Sequence, residues 1–483
     1  MRIHFLLIGL MLCGLSARAE TIDRSRLPEP STVTNWTPPP VEIWQLENGI
    51  TVWHVVQKHT ALASISLVLP NGAETDPVGK AGLASLMVDL MDEGADGLSA
   101  IELSDAMQRI AMGYSGRATT DALTFSMNIL SEQLAPSFSL FAKILLKPNF
   151  TEDDFTRRKA QRLAAVLADE ANQMSAAGRV LSSALYGDGY LGLSTGGIQS
   201  SLSAIEHSDI SKVYGTLVHP TNAILIAVGD LERSALEDAL KSSGIADWRA
   251  KKGETKARVV TEAPVLGIHV VDFPNSAQTA IMFAKRAAGA QDPERYQDLV
   301  FNHGFAGSFT SRVNLNLRED KGYTYGARGY FRRSLKGGVY SIYAKVKRDT
   351  TRPSIDELMT ELSQVTSDKP ITQLERDNAV GGLLKGYPSY FERVASVASQ
   401  LTSLATQKRQ PSALANFAKR IESIELKDAL KSAQSHAQIS DFVIVLAGDW
   451  SAIKKEIETL NMPIYFYTAD GRRKSKSNTT KAN

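Results

Sequence analysis

The stretch Ala223-Ile224-Leu225-Ile226-Ala227-Val228-Gly229-Asp230 occurs twice in the chain in similar form, and this repetition is the strongest indication of the fold. The second copy is Phe442-Val443-Ile444-Val445-Leu446-Ala447-Gly448-Asp449, whose final aspartate lies 219 residues after the first one. In both copies an apolar run ends in Gly-Asp. This pattern predicts a buried strand that is followed by the start of a helix.

A second pair of similar stretches has nearly the same spacing. Gly72-Ala73-Glu74-Thr75-Asp76-Pro77 precedes one helical segment, and Gly289-Ala290-Gln291-Asp292-Pro293 precedes another, and the second aspartate lies 216 residues after the first. Two matches with almost one offset indicate that the chain holds two copies of one unit. A period of this length is typical of duplicated domains and not of a solenoid.

Each copy mixes strands with long amphipathic helices, of which 154–173 and 354–365 are examples. The predicted class is therefore α+β, and the length of 483 residues fits two lobes. The predicted parts are a signal peptide (1–19), an extended Pro-rich strap (20–40), a first lobe (41–247), a polar linker (248–262), a second lobe (263–462) and a basic flexible tail (463–483).

The first residues have the features of an export signal. Arg2 precedes the apolar run 5–15, and Ala17-Arg18-Ala19 places small residues where a signal peptidase reads, which predicts cleavage before Glu20. A retained membrane anchor is the alternative, but the apolar run is short and the cleavage site is good. We therefore expect an exported protein of the bacterial periplasm.

Cysteine and charge exclude several other classes of protein. The single cysteine, Cys13, lies inside the predicted signal, so the mature chain would hold no disulfide and no thiolate metal site. The 54 Lys and Arg residues nearly balance the 52 Asp and Glu residues, which gives no electrostatic argument for nucleic-acid binding. After Ala19 there is no apolar run long enough to predict a transmembrane helix.

Two further segments carry the information on function. The first is Gly82-Leu83-Ala84-Ser85-Leu86-Met87-Val88-Asp89-Leu90-Met91-Asp92-Glu93-Gly94, and the second runs from Ser311 to Gly326 and contains Arg318 and Tyr325. Together with the duplication, Leu185-Tyr186-Gly187 and His219-Pro220-Thr221-Asn222-Ala223, these segments resemble the insulinase-like (pitrilysin) metallopeptidase family. The resemblance covers about Val41 to Leu460. It implies two homologous lobes, each a mostly antiparallel sheet packed with helices.

Active members of that family carry His-x-x-Glu-His on a helix, where two histidines hold zinc and the glutamate is the general base. In this chain the corresponding positions are Ser85, Val88 and Asp89. Valine cannot accept a proton, and Asp89 alone cannot hold a catalytic zinc. The later helix 155–168, where the resemblance implies a third ligand, contains no glutamate, and we do not assign that role to Glu170. The chain is therefore expected to bind no zinc and to have no catalytic residue of its own.

Other metal sites are poorly supported by the sequence. No two of the eight histidines have the i, i+4 spacing of a helical zinc pair, and His54 and His59 are interpreted as turn or surface residues. Asp89, Asp92 and Glu93 could form a carboxylate site for a hard cation. The alternative, a solvated helix face, is favoured because five apolar residues supply the opposite face of this helix.

The second segment is intact, because Arg318 and Tyr325 have the seven-residue spacing found in the family. The resemblance implies that they hold the substrate backbone and stabilise an oxyanion. A charged donor fork and a phenol O–H suit that task. The structural alternative is that Arg318 caps a helix spanning 293–320 and that Tyr325 packs in the core.

Three functions are compatible with these observations. The chain could be the non-catalytic subunit of a heteromeric zinc metalloendopeptidase, with a homologous partner that supplies the zinc and the base. It could be a peptide-binding or scaffold protein without a proteolytic role. An active enzyme with an unusual metal site is improbable because of Val88. The retained Arg318 and Tyr325 favour the first function.

Overall fold

A computed structural model describes residues 36–189, 191–249 and 262–475 of the chain. The predicted signal peptide, most of the predicted strap and most of the predicted linker lie outside these residues. From Thr37 onward the chain forms one structural unit.

The first copy of the repeated unit begins with a short hairpin and ends with a strand–helix pair. Its strands are β1 (Glu42–Gln45), β2 (Thr51–Val56), β3 (Leu62–Pro70), β4 (Gly94–Ala95), β5 (Leu98–Ser99), β6 (Gly113–Ala118), β7 (Ala122–Leu130) and β8 (Ile224–Gly229). Its helices are α1 (Leu83–Leu90), α2 (Ala100–Arg109), α3 (Leu134–Leu146), α4 (Glu152–Glu170), α5 (Gln173–Tyr186), α6 (Gln199–Ser203), α7 (His207–Leu217) and α8 (Arg233–Ser242).

The second copy has a matching set of elements. Its strands are β9 (Gly267–Asp272), β10 (Gln278–Ala287), β11 (Thr324–Ser334), β12 (Gly337–Lys347), β13 (Val443–Gly448) and β14 (Ile464–Tyr467). Its helices are α9 (Arg295–Asn302), α10 (Arg312–Asn314), α11 (Thr351–Val365), α12 (Gln373–Gly386), α13 (Val394–Thr406), α14 (Ser412–Ala415), α15 (Phe417–Glu422), α16 (Leu426–His436) and α17 (Trp450–Glu458).

The two sheets show the duplication directly. The first has the strand order β1-β2-β8-β3-β7-β6, and the second has the order β11-β12-β10-β13-β9-β14. Read from opposite edges, the two orders agree in five strands and differ in the sixth, because β1 is antiparallel to β2 whereas β14 comes from the end of the chain and is parallel to β9. The repeated Gly-Asp strands are β8 and β13, each inside its sheet. Most neighbouring strands are antiparallel, while β2 and β8 are parallel, as are β13 with β9 and β14 with β9. The predicted α+β class with two homologous lobes is confirmed.

Each sheet has its own apolar core on one face and a helix of the other copy on its opposite face. Helix α5 of the first copy packs on β10 and β13 of the second sheet, with Val180 and Leu185 buried there. Helix α13 of the second copy packs on β3 and β8 of the first sheet. The lobes therefore exchange helices, which explains why they form one unit although the sequence predicts two lobes in succession.

Two predicted segments differ in the structure. The predicted helix 293–320 is broken into α9, a π-helical turn at His303–Gly307, α10 and a second π-helical segment at Leu315–Asp320. The predicted helix 154–173 ends earlier, because the Asn172 side chain accepts hydrogen bonds from the N–H groups of Met174 and Ser175 and starts α5 there.

The prediction of a flexible tail at 463–483 is wrong for the residues that the structure describes, 463–475. Residues 464–467 form β14 at the edge of the second sheet, and the N–H of Lys474 donates to Phe466 O at 2.8 Å. The basic residues have partners, since Arg472 pairs with Asp470 at 2.6 Å and the Arg473 guanidinium lies 4.2 Å from the Tyr465 ring centroid. The strand has only four residues and is followed by a cluster of positive charges. The composition of the whole segment therefore indicated a flexible tail and did not reveal the strand.

Among the residues that the structure describes, no helix combines the length and the apolar character needed to cross a membrane.

Candidate functional site

The first motif segment forms α1, and its start is fixed by a carboxylate. Both oxygens of Asp76 accept hydrogen bonds, one from the N–H of Gly82 at 2.8 Å and one from the N–H of Ala84 at 2.9 Å. Gly82 has a φ of 95° and lies against the backbone of Gly197, where a Cβ atom would come within 2.9 Å. A glycine is needed here because this left-handed conformation and close approach leave no room for a side chain.

Ser85 and Val88 are both buried on α1. Ser85 is 6% exposed, and its hydroxyl donates to Thr195 O at 2.7 Å. Val88 is 2% exposed and packs on the edge strand β6, where a Cβ atom added to Gly116 would come within 2.6 Å of its Cγ1. The position that a general base would occupy is therefore filled by an apolar contact with the sheet.

Asp89 is held by two arginines of α4. The Arg162 guanidinium donates to the Asp89 carboxylate through Nη2 at 2.6 Å and Nε at 3.0 Å, and Arg158 Nε donates to the Asp89 carbonyl at 3.1 Å. Arg158 also pairs with Glu93 at 2.9 Å, and Arg157 makes a further short ion pair with Glu93. These ion pairs join α1 to α4 at the place where the family's active members bind a metal.

These residues do not fit a zinc ion or a hard cation. Asp89 and Glu93 already accept hydrogen bonds from guanidinium groups, and the positive charges of Arg158 and Arg162 would oppose a bound cation. Burial raises the pKa of Asp92 to about 6, so this carboxyl is harder to ionise than an exposed aspartate. Within the described ranges, no group of three or more His, Cys, Asp or Glu residues is arranged to hold a metal.

The interpretation of Asp89, Asp92 and Glu93 as a solvated face also needs correction. Asp89 and Glu93 are only partly exposed, with side chains 31% and 13% accessible, because α4 covers them. The sequence shows charges on both helices, but not that the helices face each other. Glu170, at the end of α4, lies near Arg179 and Asp470 instead of beside α1, and burial raises the pKa of its carboxyl.

The second motif segment presents its two residues differently. Arg318 belongs to the π-helical segment at Leu315–Asp320, and its guanidinium lies 4.4 Å from the ring centroid of Phe309 and pairs with Glu319 at 2.7 Å. Tyr325 is 94% exposed. The structural alternative of core packing is therefore wrong for Tyr325.

A β-bulge near the start of β11 is responsible for the position of Tyr325. The register with β12 shifts between Thr324 and Ala327, so Tyr325 and Gly326 form the irregular part of the strand. The Thr324 hydroxyl fixes this bulge, because it accepts the N–H of Gly326 at 3.1 Å and lies 2.8 Å from Lys345 O, to which it donates. Bulges commonly redirect a side chain next to a functional site.

A cavity of about 1230 Å³ is lined by residues of both lobes. Its lining includes Arg117 and Thr195 from the first lobe and Arg332 from the end of β11. Thr195 links the cavity wall to Ser85 through the hydrogen bond described above. Neither Arg318 nor Tyr325 belongs to this lining, so the structure does not bring them together with the degenerate motif in one cavity.

A carboxyl pair, of which one member is buried, lies beside this cavity. Glu74 is 6% exposed, and burial, together with the nearby Asp121, raises the pKa of its carboxyl to about 7. Asp121 also accepts the N–H of Leu335, in the β11–β12 turn, at 3.0 Å. The pair therefore connects the first lobe to the second.

Family models match both lobes of the chain. A model described as "Insulinase (Peptidase family M16)" matches residues 52–197, and one described as "Peptidase M16 inactive domain" matches residues 204–383. The "Non-peptidase homolog YmxG" of Helicobacter pylori is 22% identical over 80% of this chain and 88% of its own length. An "Uncharacterized zinc protease" of Rickettsia bellii is 19% identical over 69% of this chain and 80% of its own.

Solved structures show the same fold. A peptidase M16 inactive domain from Pseudomonas fluorescens has a TM-score of 0.78 at 23% identity, covering 85% of this chain and 98% of its own. A chain of Complex III2 from Candida albicans has a TM-score of 0.71 at 16% identity, covering 87% and 99%. The chain thus belongs to the insulinase family, peptidase family M16, as a homologue of the inactive, non-peptidase type that lacks the His-x-x-Glu-His motif.

Proposed function

We propose that this chain is the non-catalytic subunit of a heteromeric zinc metalloendopeptidase that cleaves peptides in the bacterial periplasm. A homologous partner holds the zinc and the general base. This chain binds no cofactor itself and supplies Arg318 and Tyr325 to the shared active site. The predicted export signal at residues 1–19 supports the location.

The observation that carries the proposal is the exposure of Tyr325, which is 94% accessible on a bulge held by the Thr324 hydroxyl. An aromatic side chain gains stability from burial, so a tyrosine that a bulge holds in solvent is available for a ligand or a partner. Arg318 is also partly accessible, with a side chain that is 32% exposed. Its stacking on Phe309 restricts the guanidinium and prepares it to donate hydrogen bonds.

The first lobe supports the non-catalytic part of the proposal. Asp89 is engaged by Arg162, and Val88 packs on the sheet, so neither can take part in metal-assisted hydrolysis. A zinc-bound water and a base must then come from another chain. Arg318 and Tyr325 would donate hydrogen bonds to the scissile carbonyl as negative charge develops on its oxygen.

Strand β6 supports a peptide as the substrate class. It is the last strand of the first sheet and pairs with β7 on one side only. Within the described residues, no side chain makes a hydrogen bond to the backbone of residues 113–118. Such an edge can accept an extended peptide as an additional strand, with main-chain hydrogen bonds that do not depend on sequence.

The second candidate function is a peptide-binding or scaffold protein of the same fold without a proteolytic role. The similarity to a chain of Complex III2 favours it, because that chain is part of a large assembly. The two functions differ in one respect. A scaffold does not need Arg318 and Tyr325 in an active site, whereas a peptidase subunit does.

The deciding experiment combines this chain with a relative from the same bacterium that carries an intact His-x-x-Glu-His motif. Peptide hydrolysis is measured for each chain alone and for the mixture, and gel filtration shows whether a complex forms. We expect a complex with much higher activity than either chain alone. A stable complex in which this chain adds no activity would support the scaffold function instead.

A further inference from the structure

The strands β11 and β12 lie in a segment of unusual charge. From Lys321 to Arg348 the sequence contains eight Lys and Arg residues and no Asp or Glu, although the whole chain is close to neutral. Three of these cations have acidic partners, since Lys321 pairs with Glu357, Arg333 with Asp292, and Arg348 with Asp449. These pairs explain part of the run as ordinary structural contacts.

Four other cations have no such explanation. Arg328, Arg332, Lys345 and Lys347 make no ion pair within the part of the chain that the structure describes. Arg332, Lys345 and Lys347 are exposed, and Arg328 is half-buried. Four uncompensated positive charges on two adjacent strands repel one another, so this arrangement has an electrostatic cost unless a ligand of opposite charge is present.

The strand register places these cations on one face of the sheet. Side chains two residues apart share a face, so Arg328 and Arg332 lie on the same side as Tyr330. Arg328 is opposite Tyr343, and Lys345 is opposite Ala280, which belongs to the apolar contact with α5. The set lies on the α5 face of the sheet, and we call it the basic strip, consisting of Arg328, Tyr330, Arg332, Tyr343, Lys345 and Lys347.

The two tyrosines add an aromatic surface to the positively charged strip. Their rings pack edge to face, with 5.8 Å between centroids, and Tyr330 is 43% exposed. Arg332 also lines the cavity between the lobes, so the strip continues into that cavity. A ligand on the strip would therefore lie at the edge of the cavity between the lobes.

The outer edge of β11 limits how a ligand can bind. The Asn302 side chain donates to Gly329 O at 2.9 Å, and the N–H of Ala327 donates to Asn314 Oδ1 at 2.9 Å. These hydrogen bonds occupy backbone groups that an added strand would need. A ligand must then lie across the face of the sheet and contact side chains, which makes recognition dependent on charge.

We propose that the basic strip binds the acidic part of an extended peptide. The inference rests on the proposed function for the substrate class and extends it by naming the charge of the segment recognised. Arg and Lys donors would bind Asp and Glu carboxylates, and the tyrosines would contact the intervening residues. A peptide is favoured over nucleic acid because the chain as a whole lacks the positive charge typical of nucleic-acid-binding proteins.

The test measures binding without hydrolysis, using fluorescence anisotropy on the full chain alone. Three labelled peptides of one length are compared: one of Glu, Ser and Gly, one in which Gln replaces Glu, and one in which Lys replaces Glu. The variant Arg332→Gln with Lys345→Gln removes two charges from the strip. The matched control, Lys212→Gln with Lys241→Gln, removes two exposed charges from helices of the first lobe.

We expect the acidic peptide to bind best, and its affinity to fall by roughly tenfold to a hundredfold in the strip variant but hardly in the control. Added salt should weaken this binding. Equal affinity for the three peptides, or an unchanged affinity in a folded strip variant, would overturn the inference. A single-stranded oligonucleotide that binds more tightly and with the same dependence on the strip would also overturn it. This assay measures binding and not hydrolysis. Its result therefore does not depend on whether the chain takes part in a peptidase, and the two proposals can fail independently.

Discussion

Both lobes pack a helix against a glycine of their edge strand, but they do so with different chemistry. In the first lobe Val88 contacts Gly116 of β6, whereas in the second lobe Asn302 contacts Gly329 of β11 and bonds to its carbonyl. Among the described residues, no side chain bonds to the backbone of β6, whereas the Asn302 amide occupies the backbone edge of β11. The first lobe therefore offers a strand edge to a ligand, and the second offers side chains.

The same contrast holds for the two motif segments. The polar groups of the first segment are used inside the protein, since Ser85 bonds to Thr195 and Asp89 to Arg162. In the second segment Tyr325 projects into solvent. Residues that are satisfied internally stabilise the fold, and residues held outward without a partner are candidates for binding.

The largest effect is expected in the second lobe. In the reconstituted pair, Arg318→Ala or Tyr325→Phe should lower kcat by ~10²–10³-fold, because each removes a donor to the developing oxyanion. Steady-state peptide hydrolysis measures this effect. The matched controls are Arg420→Ala and Tyr390→Phe, which change an exposed arginine and an exposed tyrosine elsewhere.

We expect these variants to form the complex normally on gel filtration, because the exposed Tyr325 side chain does not pack in the core. Full activity of both variants in an intact complex would show that the two residues have a structural role, and the scaffold function would then be preferred.

In the first lobe, Val88→Glu should destabilise the protein by about 3 kcal/mol, since it places a carboxylate in an apolar contact with the sheet. The control is Val78→Glu at a valine that is 91% exposed, for which a change within about 0.5 kcal/mol is expected. Urea denaturation followed by circular dichroism measures both. Equal stabilities of the two variants would contradict the packing of Val88.

Restoring the motif should not restore a metal site. We expect no stoichiometric zinc in the wild-type chain or in the variant Ser85→His, Val88→Glu, Asp89→His. In that variant Arg162 loses its carboxylate partner and leaves a positive charge beside the new histidines, which also lack a third ligand. Metal analysis after dialysis is the measurement, and one tightly held zinc per chain in either protein would refute the prediction.

Glu74 tests the contact between the lobes through its pH dependence. Its counterpart in the repeat is Gln291, which cannot titrate. Because the folded-state pKa of Glu74 is raised to about 7, the folded protein keeps a proton that the unfolded chain releases above pH ~4.5. The stability contributed by the protonated carboxyl is complete below the unfolded pKa and is lost as the pH rises through about 7.

Glu74→Gln should therefore stabilise the protein more at pH 8.5 than at pH 5, with a difference on the order of 2 kcal/mol between the two values. Thermal and urea unfolding at both pH values provide the measurement. Gln291→Glu, which adds a carboxyl at the exposed equivalent position, should show less than a third of this difference. Parallel pH profiles for wild type and Glu74→Gln would show that Glu74 does not titrate in this range.

The sequence predicted what repeats or follows a fixed spacing. The Gly-Asp strands gave the duplication, and Ser85, Val88 and Asp89 gave the loss of the metal ligands. It did not predict the helix exchange, because α5 and α13 are amphipathic in either arrangement and their partner sheets are distant in the chain. The Asp89–Arg162 pair and the β11 bulge were missed for a similar reason, since both depend on contacts between elements far apart in sequence.

The smallest effect concerns the ion pair that stands where the metal ligands would be. Asp89→Asn and Arg162→Gln, alone and together, form a double-mutant cycle whose coupling free energy we expect to be about 1 kcal/mol. The side chains are 31% and 19% exposed, so solvent screens the pair only in part. Lys58 and Glu232 form the matched control, since their side chains are 63% and 67% exposed and solvent screening should leave almost no coupling between them. Urea unfolding of the four proteins in each cycle gives both values. If the two cycles gave the same small coupling, Asp89 would not be committed to the fold, and the contrast between an internally satisfied first lobe and an outward-facing second lobe would lose its main support.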